Sequence, residues 1–174
     1  MSHNFGVVAA LRDAPDVVIV VFTLLTQLGD FWWYLSVLTL AYAFAGVHPR
    51  LRGERVRERV AFVIAVALGA LAVTYLLKLA VTHSRPPGAE TARDLAWLPP
   101  SLDPVWRSLA TSDSYSLPSG HATGSAAIYG AIALVSRWGS RRLRYGGAAA
   151  LVALIALSRV VIGVHYLGDV LAGL

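Results

Sequence analysis

Cysteine is absent from the 174 residues, which excludes a disulfide framework, a thiol nucleophile and a cysteine metal site. Charge is scarce as well. Only 14% of the residues are Asp, Glu, Lys or Arg, against about 25% in an average soluble domain, so a soluble globular protein is a poor reading. Lys78 is the single lysine; the other basic residues are arginines, a bias from which no function is drawn. Internal repeats and low-complexity segments are lacking. The stretch from Met1 to Pro15 has no basic region leading directly into an apolar core and a small-residue cleavage site, so no removable signal peptide is expected.

Apolar sequence takes the place of the missing charge: 56% of the residues are hydrophobic and the mean hydropathy is +0.60. The net charge of +5 would suggest nucleic acid binding in a soluble protein. Here the arginines sit between apolar runs, which reads as membrane topology, and no nucleic acid partner is expected.

Five apolar runs are separated by polar connections. Asp16 to Leu28 is short for a span, since a helix needs about 20 residues to cross the hydrocarbon core; an earlier start near Phe5 would leave Arg12 and Asp13 snorkelling at the interface. Gly29-Asp30 breaks this run, with Asp30 read as an ordinary outer-loop residue. Phe31 to Val47 opens on Phe31-Trp32-Trp33-Tyr34, an interfacial aromatic belt. Val60 to Val81 is the third run, His121 to Trp138 the fourth and Gly146 to Ile162 the fifth; the fourth is rich in small residues that allow close helix packing. His165 to Leu174 looks like the start of a sixth, about 15 Å of helix, roughly half a hydrocarbon core. The expected architecture is therefore all-α: a polytopic transmembrane helical bundle of about six helices, the last one cut short. It forms one membrane-embedded unit over 1–174, with 83–117 as an extramembrane loop between helices three and four. In that loop Asp103-Pro104 can start a short surface helix, and Trp97 and Trp106 suit a membrane interface.

The connections after the second and fourth runs carry Arg50, Arg52, Arg55, Arg57 and Arg59, and Arg137, Arg141, Arg142 and Arg144. By the positive-inside rule they face the cytoplasm. The chain is then a multi-pass cell-membrane protein whose long loop and C-terminal segment share the opposite face.

Three polar islands lie on that face, where charged groups are costly. A charge at the bilayer centre costs roughly 2.5–3.5 kcal/mol on insertion scales, so such groups usually mark function. The first island is Lys78-x6-Arg85-Pro86. On a continuous helix seven residues turn by about 700°, within about 20° of two full turns, which would align the two cations as an anion site. The bland alternative is a pair of snorkelling interfacial cations. The second island is Pro118-Ser119-Gly120-His121. Ser119 suits an N-cap, the backbone N–H groups of Gly120 and His121 would point out of a helix start that favours an anion, and Gly120 would let a phosphate come close. His121 could give a proton to a leaving oxygen. An ordinary cap beside an interfacial histidine is the alternative. The third island is Ser158-Arg159-x5-His165-x3-Asp169. If this segment is helical, His165 and Asp169 share a face, the carboxylate can accept from one imidazole nitrogen, and the other nitrogen is left as a base or nucleophile. A structural ion pair between helices is the alternative.

In order and spacing, these islands together resemble the three-part signature of the type 2 phosphatidic acid phosphatase superfamily, at motif level over about residues 60–174. The resemblance implies that His165 attacks phosphorus and forms a phosphohistidine, that Asp169 orients it, and that His121 is the acid for the leaving group and then the base for water. It implies that Lys78, Arg85, Ser119, Gly120 and Arg159 bind the phosphate oxygens, and that no metal and no cofactor are needed. That agrees with a sequence lacking a carboxylate cluster for magnesium, since cationic side chains can take over the charge stabilisation. His3, His48 and His83 fall outside the signature; His83 is near enough to Arg85 to line the site. Asp113, Ser114 and Tyr115 precede the second island and could shape access.

The implied activity is hydrolysis of a lipid phosphate or polyprenyl diphosphate, held with its tails among membrane lipids, on the non-cytoplasmic face. A lipid phosphotransferase of the same superfamily is the enzymatic alternative. The superfamily's vanadium-dependent haloperoxidases share the oxyanion pocket but are soluble. A non-catalytic lipid-phosphate transporter or binding protein is the alternative from another class, disfavoured because transport has no need of a His–Asp pair facing a second histidine.

Overall fold

The computed structural model describes Val8, Leu11 and residues 14–47 and 54–174. Among these residues every regular element is a helix: α1 (Asp16–Thr26), α2 (Phe31–Val47), α3 (Glu54–Val81), α4 (Asp103–Ala110), α5 (Gly120–Val135), α6 (Arg141–Val161) and α7 (Leu167–Leu171), with 3-10 turns at Gln27–Gly29 and Pro100–Leu102. The all-helical expectation holds. His3, Arg12, Asp13, His48, Arg50 and Arg52, and the proposed early start of the first span, lie outside the described residues.

Among the described residues, two helices are long and apolar enough to cross a membrane, at Arg55–Val81 and Arg141–Val161. The first two runs differ from two independent spans. They form a pair, Asp16–Gly29 and Phe31–Ala45, bent by 49° at a short break, and count as a third crossing only if taken together. The break falls where the sequence has Gly29-Asp30: the 3-10 turn ends there, Asp30 is extended, and its Oδ1 accepts from the Trp32 N–H at 2.9 Å, capping the start of α2.

α3 exposes large apolar side chains all round its outer part, among them Phe62, Leu68, Val73, Leu76 and Leu79. A helix apolar on every side needs a nonpolar environment. Inside the bundle α5 packs against α6 and α3, α1 against α6, and α2 against α3. Tyr34, Leu38, Val63, Ala67, Ile128 and Ala131 form one core across α2, α3 and α5. Ala122, Ala156, Val160 and Val170, joined by Val8, form another near the C-terminal end of α6. Small residues at these contacts let backbones approach, which is the chief packing device where lipid supplies no hydrophobic drive.

The long connection is folded onto the bundle rather than hanging from it. Ser116 N–H donates to His83 O at 2.8 Å, and Ser112 N–H to Ala89 O at 2.9 Å, so its two ends meet. α4 is the short helix expected from Asp103-Pro104. Trp106 on it corrects an expectation. It is buried, not interfacial, in a cluster with Ile19, Leu95, Ala110 and Val161, and its indole N–H donates to Arg93 O at 2.8 Å. Trp97 is exposed. Because α3 and α6 arrive where α5 departs, the C-terminal ends of α3 and α6 and the N-terminal end of α5 gather at one end of the bundle. Arg137, Arg141, Arg142 and Arg144 lie at the other ends of α5 and α6.

Candidate active site

His165 is the centre of that gathered end. α6 closes through a left-handed residue, Gly163 (φ 79), and the Val164 and His165 N–H groups both turn back to Arg159 O at 3.2 Å. This closing turn fixes the Arg159-x5-His165 spacing. His165 itself is not helical, so the shared helix face expected for His165 and Asp169 is replaced by a different local device. Tyr166 is the N-cap of α7 and Asp169 its N3 residue, with Asp169 Oδ2 accepting the Tyr166 N–H at 2.8 Å in a capping box. The same Oδ2 lies 3.3 Å from His165 Nδ1 and also accepts the Ser116 hydroxyl.

The imidazole tautomer follows from its neighbours. His165 Nε2 is 3.0 Å from Arg85 Nη1. A guanidinium only donates, so Nε2 must present its lone pair and Nδ1 carries the proton toward Asp169. Burial lowers the His165 imidazole far below its ordinary 6.5, with Arg159 and Arg85 adding to the shift and the Asp169 hydrogen bond opposing it. Burial alone would raise the Asp169 carboxyl, but hydrogen bonds from His165, Ser116 and the Tyr166 N–H hold it below the usual carboxylate range. The resting pair is therefore a neutral imidazole beside a carboxylate. In selectively labelled protein, the His165 ring resonances are expected to stay unshifted between pH 7.5 and 5.5; a titration midpoint near 6.5 would contradict this arrangement.

Lys78 and Arg85 do converge, but not by the expected helical phase. α3 ends at Val81, where Thr82 turns left-handed (φ 47) while its N–H still bonds Lys78 O at 2.9 Å. Arg85 lies in the extended chain beyond. The two cations meet because the loop returns between them. Lys78 Nζ donates to Tyr115 O and to Ser114 Oγ, and Arg85 donates to Ser114 O, to Ser114 Oγ at 3.0 Å and to Val164 O at 2.7 Å. Donors able to hold an anion are thus held by neutral oxygens of Ser114 and Tyr115, the pair the sequence placed next to the second island.

Ser119 is the N-cap of α5, its Oγ accepting from Ala122 N–H at 3.5 Å, and its own N–H donates to Asp169 O at 2.9 Å. That bond ties the second island to the third. A Cβ added at Gly120 would meet only Thr74 Cγ2, at an ordinary 3.6 Å, so packing does not require glycine there. Arg159 is 4% exposed, donates to Thr26 Oγ1 at 3.2 Å and leaves its Nε without a partner. His121 is within electrostatic reach of Arg159, His165, Arg85 and Lys78. All eight sequence-selected residues therefore fall in one region.

Sequence reasoning missed Ser116, which is fully buried between His165 Nδ1 and Asp169; only its closeness to the second island could have pointed to it. It also missed Asp30, whose Oδ2 lies 3.9 Å from His121 Nε2. His83 Nδ1 lies 3.6 Å from Asp169 Oδ1 and its ring makes a T-shaped contact with Tyr166, so it borders the His–Asp pair. Among the described residues no cluster of His, Asp and Glu could hold a metal ion.

The model of the PAP2 superfamily matches residues 59–174 of this chain. No curated protein sequence matches it. Among solved structures, the fold is similar to that of a transmembrane PAP2-type phosphatidylglycerolphosphate phosphatase from Bacillus subtilis, with a TM-score of 0.76 and 22% identity over 99% of this chain and 77% of that one.

Proposed function

This chain belongs to the PAP2 superfamily, and from that membership we propose that it is a membrane phosphatase that removes phosphate from a lipid phosphate or diphosphate through a phosphohistidine, without a metal. The observation that carries the reading is the environment of His165: a buried neutral imidazole with Nδ1 toward Asp169 and the Nε2 lone pair toward a guanidinium.

In the proposed reaction the phosphate displaces the Ser114 and Tyr115 oxygens from Lys78 and Arg85 and sits between these cations, the α5 N-terminus at Ser119 and Gly120, and Arg159. A buried guanidinium with an unpaired Nε is costly in isolation, and an anion is the partner that offsets the cost. His165 Nε2 attacks phosphorus. The P–N bond forms as the bond to the leaving oxygen breaks, and that oxygen takes a proton from His121. The imidazole becomes cationic in this step, and Asp169, already facing Nδ1, stabilises it. Water then attacks the phosphohistidine while His121 takes its proton, releasing inorganic phosphate and free His165. The cations supply the charge stabilisation that metal ions provide in other phosphoryl transfers.

The arginines at the far ends of α5 and α6 support a cytoplasmic location for that end under the positive-inside rule. The site then opens at the outer leaflet, where a substrate keeps its tails in lipid while its headgroup reaches the helix ends. A phosphate-release screen over phosphatidic acid, phosphatidylglycerol phosphate and polyprenyl diphosphates tests the reading on purified protein. Release is expected to be unaffected by EDTA and blocked by vanadate, a pentacoordinate phosphate mimic suited to a cationic pocket. Loss of activity with EDTA and its return with magnesium would reject the mechanism. Phosphorylated acceptor in place of free phosphate would mark a phosphotransferase.

A further inference from the structure

The turn between α1 and α2 is built against the second histidine. Tyr129 on α5 donates its hydroxyl to Leu28 O at 2.7 Å, anchoring the turn. A Cβ at Gly29 would lie 2.5 Å from Ile155 Cγ2 and 3.1 Å from His121 Cδ2, so the backbone there is pressed onto the imidazole. Asp30 follows. One of its oxygens caps α2 through the Trp32 N–H at 2.9 Å, and this commitment leaves the other facing His121 Nε2 at 3.9 Å. The Nε2–Cδ2 edge of the ring thus lies against the turn, and Nδ1 is on the opposite edge. Asp30 lies outside the matched residues 59–174, so the superfamily signature assigns it nothing.

The surroundings give this carboxylate a task. Lys78 from α3, Arg85 from the loop, Arg159 from α6 and the imidazole of His165 all lie within electrostatic reach of His121. Burial first and then the nearby cations disfavour a protonated imidazole there, and among the described residues Asp30 is the carboxylate that faces it at ion-pair range.

We propose that Asp30 is a positioning residue for His121: its carboxylate, fixed by capping α2, holds the Nε2 edge of the imidazolium and leaves Nδ1–H to protonate the leaving oxygen. This rests on the reading of His121 as the general acid. The proton passes from Nδ1 to the oxygen as the P–O bond breaks, and Asp30 itself neither gains nor loses one.

Asp30→Asn separates the cap from the charge, because Asn caps a helix as well as Asp does. Asp30→Ser keeps a cap through a different group and serves as the second variant. The measurement is kcat/KM, which reports steps up to formation of the phosphohistidine, for a lipid phosphate and for p-nitrophenyl phosphate, whose leaving group needs little help from an acid. Both variants are expected to lose about 10²-fold with the lipid phosphate, at the low end for general acid catalysis, and far less with the aryl phosphate. The basic limb of the lipid phosphate pH profile should move to lower pH, since the imidazolium has lost its counter-charge. His121→Asn is the control for the underlying reading and should show the same leaving-group contrast, more strongly. If His121→Asn shows the contrast and the Asp30 variants do not, the role of Asp30 is overturned while the acid stands. If His121→Asn slows both substrates equally, the acid assignment itself fails. Equal losses in the Asp30 variants with an unmoved pH profile would make Asp30 a cap and nothing more.

Discussion

Replacing His165 by alanine is expected to reduce phosphate release by on the order of 10⁵-fold, because loss of a covalent nucleophile removes the reaction path rather than slowing it. The wild-type protein mixed briefly with a ³²P-labelled lipid phosphate should carry acid-labile label, and the variant should carry none. Lipid binding should persist, since Lys78, Arg85 and Arg159, the proposed oxyanion donors, all remain in the variant. His165 is 1% exposed among Ser116, Asp169 and Arg85, so alanine also leaves a cavity. His165→Asn, which fills part of that space, is the companion variant and should be equally inactive. Unchanged turnover in both would reject the nucleophile and revive a binding or transport role. Label that survives the substitution would place the phosphoryl group on another residue.

Asp169→Asn is expected to cost about 10³–10⁴-fold in kcat with little change in KM, the scale seen when a histidine loses the carboxylate that fixes its tautomer. The reasoning is local. Asp169 Oδ2 accepts from the Ser116 hydroxyl, from the Tyr166 N–H at 2.8 Å and from the Nδ1 side of His165 at 3.3 Å. An amide oxygen can still take the capping N–H and the hydroxyl, so α7 should remain folded. It supplies no negative charge for the imidazolium that forms as phosphorus is attacked, and an amide rotated the other way would favour the wrong tautomer. Steady-state kinetics with a thermal unfolding control in detergent checks this. A loss below about tenfold with unchanged unfolding would reduce Asp169 to a helix cap.

The three islands were legible because each is a local pattern. Ser119 reads as a cap from residue type and position alone, and it caps α5. Asp169 and His165 pair as expected, yet the expected geometry was wrong: four residues on a helix face became a turn followed by a capping box, since Gly163 ends α6 before His165. Lys78 and Arg85 show the same thing. Their approach was foreseen, but the assumed helix stops at Val81, and the returning loop around Ser114 and Tyr115 is what they share.

The amino-acid sequence by itself determined the all-helical class, the apolar runs, the short helix at Asp103-Pro104 and the residue types of the site. Hydropathy, proline and capping act within a few neighbours, so they can be read along one chain. Only the tertiary structure decided that Ser116 is buried beside Asp169, that Trp106 turns inward and that Asp30 faces His121 across 91 positions of sequence. These depend on how helices pack and where the long connection from Val81 to Gly120 folds back, and no local periodicity encodes a contact between segments that far apart.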